Sequence, residues 1–201
     1  MEKVYGPNPL LFNGKKYDFF PPSGTSGHQF LYSNNAVIGG ATIKGVRFEQ
    51  IKLKYDIYNQ EVLLSYADDE GSGTLIQLSK AWLESFNLEE RYFEMHVFED
   101  ESRFYQVLGN GSVKIFYFWK KYFELDKAFG SKSFSFSSEI KISYVLMHGK
   151  LIPFRSKRGF LAIFAPQQKP EIKAYIRNAR FKLKNADDES MADLINFISN
   201  L

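Results

Sequence analysis

Five turn signals punctuate the chain up to Leu151, and apolar residues alternate between them: Asn13-Gly14-Lys15-Lys16-Tyr17, Lys44-Gly45-Val46-Arg47-Phe48, Glu89-Glu90-Arg91-Tyr92, Asn110-Gly111-Ser112-Val113 and His148-Gly149-Lys150-Leu151. Asn-Gly between alternating apolar residues signals a two-residue hairpin, because both central positions of a type I′ turn need positive φ. A chain punctuated this way folds as strand after strand joined by tight turns. The signals are unequally spaced, which argues against a propeller or solenoid repeat.

The strands between the turns are rich in rings. Of 201 residues 20 are Phe and 12 are Tyr, and rings suit the pleated, half-buried surface of a sheet. Ile51, Leu53, Tyr55 and Ile57 are expected on one strand face, with Lys52, Lys54 and Asp56 on the other. The hairpin from Phe104 to Lys120 is the most distinctive. Val113, Ile115, Tyr117 and Trp119 face one way and Lys114, Phe116, Phe118 and Lys120 the other, so this strand should be covered on both sides for part of its length. Ser131 to Ser138, with Phe134 and Phe136 at period two, suits an edge strand or an ordered loop. Ser79 starts either a helical turn through Trp82 or a continued extended segment.

Beyond Ser156 the apolar period becomes helical. Ser156 should cap a short helix carrying Phe160, Leu161, Ile163 and Phe164, stopped before Pro166. Pro170 fits the first turn of a second helix with the stripe Ile172, Tyr175, Ile176 and Ala179. Asp187 or Asp188 caps a third, which buries Met191, Leu194, Ile195 and Ile198. Three short helices cannot bury those faces alone and should pack on the sheet. The expected fold is mainly β: an antiparallel meander over residues 1–155, sandwich or open barrel, with a small helical tail over residues 156–201, one domain overall.

Charge is segregated along the chain. Residues 1–100 hold 9 Lys/Arg and 14 Asp/Glu, whereas residues 101–201 hold 17 and 9. From Lys141 to Lys184 there are 11 basic residues and one acidic, Glu171, and then Asp187-Asp188-Glu189 follows. Such segregation creates a field that attracts anions. Cysteine is absent, which excludes disulfides, thiolate nucleophiles and thiolate metal sites. No apolar run approaches the ~20 residues a membrane-spanning helix needs. The start, Met1-Glu2-Lys3-Val4-Tyr5, has no apolar leader core and reads like the segment after a removed leader. An extracytoplasmic site, periplasmic or lipid-anchored, is expected, with the cytoplasm as the alternative.

Gly27-His28-Gln29-Phe30-Leu31, then Ile43-Lys44-Gly45-Val46-Arg47-Phe48 and Lys52-Leu53-Lys54-Tyr55-Asp56-Ile57-Tyr58, resemble a pattern that recurs in uncharacterised β-rich Bacteroidetes proteins. The similarity extends over most of the chain. Many of those proteins carry signal peptides, so the resemblance implies export. It brings no activity and no functional residue.

Candidate chemistry is sparse. His28, His96 and His148 are far apart and form no local metal-ligand pair. Counting Asp68 as the first position of a calcium loop puts Ser79 at the twelfth, where a bidentate Glu is needed. No Gly-x-Ser-x-Gly elbow or Gly-rich phosphate loop is present. No cofactor and no catalytic residue are therefore expected. The basic stripe is a stronger lead. Lys169, Lys173 and Arg177 stand at i, i+4 and i+8, with Arg180 nearby, and like charges at that spacing ask for compensation. Either Asp187, Asp188 and Glu189 fold back on the stripe, or an anionic partner meets it. Nucleic acid fits less well, because the pI of about 8.8 lies below the usual footprint of such domains.

The expected function is a non-catalytic binding or structural module of the bacterial cell envelope that contacts protein or glycan. The alternatives are an enzyme whose site assembles only in three dimensions, and an anion or nucleic-acid binder. Candidate binding residues are Phe116, Phe118 and Lys120 on the hairpin, and Lys169, Lys173, Arg177 and Arg180 on the second helix.

Overall fold

Two of the five turn signals close tight type I′ hairpins in the computed structural model, which describes residues 8–67, 73–98, 100–126, 133–180, 182–183 and 186–201. The polar start, the acidic loop at 68–72 and the first two residues of the Ser-rich run, Ser131 and Lys132, lie outside the described residues. Lys44 and Gly45 take φ of 48° and 73°, and His148 and Gly149 take 51° and 72°. In each case two residues suffice, closed by the pairs Ile43↔Val46 and Met147↔Lys150.

The other signals resolve differently. Leu88 pairs with Arg91 across Glu89-Glu90. Asn13-Gly14 makes no hairpin; it leads into a short strand, β1 (Lys15–Lys16), which pairs with the distant β5 (Gly73–Gln77). At Asn110-Gly111 the left-handed residue is Gly109, with φ 90°, and the loop is wider than an Asn-Gly turn.

The chain divides into two compact units, Met1–His96 with Trp119–Ile140, and Val97–Phe118 with Lys141–Leu201. The first adds β2 (Val37–Ile43), β3 (Val46–Asp56), β4 (Glu61–Ala67), β6 (Leu83–Leu88) and β7 (Arg91–Phe98), in the order β1-β5-β4-β3-β2-β6-β7. Phe86 and Phe93, paired across β6 and β7, stack at 4.7 Å, and Tyr55 meets both edge-on. Leu53, Tyr55 and Ile57 are buried as their alternation demands. Trp82 and Leu83 both donate to the Ser79 carbonyl, so that segment makes a turn. A second, two-stranded sheet pairs β10 (Phe123–Asp126) with β11 (Ser133–Phe136), which makes part of the Ser-rich run a strand.

The second unit contains β8 (Glu101–Leu108), β9 (Val113–Lys120), β12 (Ile140–Met147) and β13 (Lys150–Phe154), hydrogen-bonded in that order. Its helices are α1 (Lys157–Ala162), α2 (Lys169–Asn178) and α3 (Asp188–Ser199). Ser156 caps α1 by accepting from the Gly159 amide, and Asp187 caps α3 by accepting from Ser190. Pro170 sits in the first turn of α2. Ile172 and Ile176, then Met191, Leu194, Ile195 and Ile198, are the buried stripes. Packing on the strands is close: the Asn110 amide donates to Asn196 Oδ1 at 3.0 Å, and the Phe154 and Phe160 rings lie 5.0 Å apart. The described strands are antiparallel and their order is open rather than closed into a barrel.

Candidate functional site

In β9 every residue from Ile115 to Trp119 is buried, so the strand is covered on both faces, as its double set of rings requires. The register Val107↔Phe116 puts Arg103, Tyr105 and Val107 on the same face as Phe116 and Phe118. Phe98, Ile142, Tyr144, Leu146 and Leu151 pack against Tyr105, Phe116 and Phe118. Tyr105 lies 5.5 Å from Phe116, 5.9 Å from Phe118 and 6.0 Å from Tyr144, ring centre to ring centre. Phe116 and Phe118, named as candidate binding residues, are thus inner members of a ring stack whose outer members are Phe98 and Tyr144.

A groove of about 560 Å³ opens beside this stack, within the second unit. Phe98, Tyr105, Tyr144, Leu151, Ile152 and Pro153 supply its apolar wall, and Glu101, Arg103 and Lys150 its charges. Glu101 and Arg103 form an ion pair, and the Arg103 guanidinium lies 4.8 Å from the Phe118 ring centre. Burial pushes the Tyr105 hydroxyl above its ordinary pKa, partly offset by the Arg103 charge, so it serves as a neutral hydrogen-bonding group. A groove of mostly apolar lining with a few charged groups can hold a ligand's apolar face while fixing its polar substituents.

The edge of this groove has a defined polarity. Met147↔Lys150 flanks a two-residue turn and is a hydrogen-bonded pair, so the alternation makes Tyr144↔Pro153 a non-hydrogen-bonded pair. The Pro153 nitrogen therefore points away from β12, and it carries no hydrogen. Strand β13 is the last in its sheet order.

Lys120 donates to the Tyr122 hydroxyl at 2.6 Å and lies over that ring. Also in the first unit, Tyr58 lies 5.6 Å from Phe19 and 6.0 Å from Phe123, which stacks on Phe134 at 5.2 Å. These rings form a second aromatic array.

Lys169 and Lys173 share an open groove with Lys157 and Arg158 of α1, whereas Arg177 and Arg180 lie outside its lining. The acidic cluster is occupied elsewhere. Asp187 caps α3, while Asp188 accepts from Gln106 Nε2 at 2.7 Å and attracts the Lys141 charge. Among the described residues no ion pair joins it to the stripe. Lys157 and Arg158 had no signal in the sequence beyond belonging to the basic segment.

One polar cluster was not foreseen. Asp56, expected with Lys52 and Lys54 on the face of β3 opposite Leu53 and Tyr55, is completely buried. Its carboxylate accepts from the Tyr17 hydroxyl, the Tyr58 and Asn59 amides and the Asn59 side chain. Gln29 Nε2 in turn donates to the Tyr17 oxygen at 3.3 Å. Lys121, also buried, donates to the carbonyls of His28 and Phe30 at 2.9 and 2.8 Å. These groups are committed to holding the β3–β4 turn and the His28–Phe30 backbone. The three histidines do not converge: His28 accepts from the Phe30 amide, His96 pairs with Glu94, and His148 occupies its turn. Among the described residues no group of three or more Asp, Glu or His is placed to hold a metal ion, and no helix is long and apolar enough to cross a membrane.

No family model, no curated protein and no solved structure matches the chain.

Proposed function

We propose that this protein is a non-catalytic binding module of the bacterial cell envelope and that it takes glycan in the groove walled by Phe98, Tyr144 and Leu151. The observation that carries the reading is the pairing of aromatic rings with Glu101, Arg103 and Lys150 along one groove. A sugar ring presents C–H faces that pack on aromatic side chains and hydroxyls that need charged or polar partners. An extended peptide is the poorer fit, since Pro153 removes an outward donor from β13, the edge strand along this groove. The envelope location rests on the resemblance to exported Bacteroidetes proteins.

Affinity electrophoresis through a panel of soluble bacterial and plant polysaccharides, with sedimentation on peptidoglycan, tests the reading. Retardation or co-sedimentation with at least one glycan is expected. It should be lost in Tyr144→Ala and kept in Phe20→Ala, which alters an exposed ring of the first unit. No retention by any glycan, or retention indifferent to Tyr144→Ala, overturns it. Fractionation of the native host tests the location separately, with recovery in the cytosol as the contrary result.

A further inference from the structure

The basic residues of α1 and α2 converge more than a solvated helix face requires. Lys157, Arg158, Lys169 and Lys173 line an open groove of about 610 Å³, and its remaining lining is Leu161 and Ala162. Among the described residues none of the four cations forms an ion pair with a carboxylate. The nearest acidic cluster in sequence is spent on capping α3 and on Gln106. Four like charges around one groove repel one another, and nothing described in the fold compensates them.

We infer that this groove binds a small amphiphilic anion, an aliphatic chain carrying a diphosphate head. Charge complementarity sets the head. Lysine ammonium groups act as point-charge phosphate binders, and several phosphate oxygens can engage two helices at once. The apolar floor sets the tail, because Leu161 and Ala162 offer no hydrogen-bonding side chain to a sugar or base. No ring or large aliphatic side chain of α1 or α2 is strongly exposed for insertion into a bilayer. This site is separate from the ring-walled groove and does not depend on the glycan reading.

Titration calorimetry on the full chain with geranyl diphosphate, inorganic pyrophosphate and geraniol tests the assignment. Geranyl diphosphate should bind at least about tenfold more tightly than pyrophosphate, geraniol should give no binding heat, and affinity should fall with salt. Lys157→Glu and Lys173→Glu should each weaken binding by about tenfold or more, and Lys169→Gln by less. Arg180→Glu, outside the groove, should stay within about twofold. Circular dichroism confirms that each exposed-site variant remains folded. Equal affinity for pyrophosphate and geranyl diphosphate overturns the amphiphile. Absence of binding, or Lys173→Glu indistinguishable from the native chain, overturns the site.

Discussion

The Tyr17 hydroxyl donates to the carboxylate of Asp56, 39 residues further along the chain. Asp56 has no exposed surface, yet its two oxygens accept from four donors, three of them in the turn that follows β3. A buried carboxylate is tolerable only when its lone pairs are satisfied, and Tyr17 is the partner that local sequence does not supply. The contact ties the segment before β2 to the centre of the first unit.

Replacing Tyr17 by Phe should destabilise the protein by about 1–3 kcal/mol, the cost of leaving a buried acceptor short of a donor. Urea denaturation measures it. Burial, then the hydrogen bond to Asp56, raises the Tyr17 pKa far above that of a free tyrosine. Above about pH 10 the unfolded chain loses this proton while the folded chain keeps it, so stability falls as pH rises. Tyr17→Phe should remove that part of the alkaline slope.

His28 titrates in the opposite sense. Burial, then the charge of Lys121, holds its pKa below the usual imidazole value; Lys54 adds to this and Glu139 opposes it. As pH falls below about 6.5 the unfolded chain takes up the proton more readily, so the folded state loses stability on acidification. Protonation at Nδ1 also breaks the bond accepted from the Phe30 amide. Melting curves at about pH 7.5 and 5.5 should differ more for the native chain than for His28→Gln.

Lys121→Met tests the same region by another route. The substitution leaves the His28 and Phe30 carbonyls without their shared donor, at a cost of about 2–4 kcal/mol. It also takes away a positive neighbour, so the His28 pKa, followed by NMR, should rise.

Gly109→Ala should disturb the seat of α3. At φ 90° a side chain is strained, and its Cβ would clash with Ile195 Cγ2. The expected loss exceeds about 2 kcal/mol. Ile195→Ala relieves the clash at a cavity cost of its own, so the double variant should lose less than the sum of the two single losses yet stay below Ile195→Ala alone, because the backbone strain remains. Denaturant midpoints of the single and double variants decide this.

Local rules were legible in the chain. Period-two alternation placed the buried faces of β3 and β9, and Ser156, Pro170 and Asp187 marked helix starts that the fold keeps. These signals act within a few residues, through pleat direction and capping. Partners chosen across long separations were not legible. Asn13-Gly14 reads as a turn, but Lys15 finds Gln77. Asp56 shares its strand face with Lys52 and Lys54 in the sequence, and nothing there shows that Tyr17 and the Asn59 side chain enclose it. The groove wall draws Phe98, Arg103, Tyr144 and Leu151 from three strands and from the end of a fourth, so only sheet order brings them together. Phe116 and Phe118 are covered by neighbouring rings and aliphatic side chains that only the sheet order brings to them.

Pro153 carries a consequence for the protein at high concentration. A terminal strand with every outward amide free is a template on which further copies stack, and the ring-rich stretches of this chain have the composition of fibre-forming segments. With Pro153 in β13, the outward donors are reduced along that strand. Pro153→Val should restore a continuous ladder. Light scattering of concentrated samples should then show growing aggregates, while the native chain stays dispersed. That comparison measures how far one missing hydrogen at a sheet edge limits self-association of an aromatic β-protein.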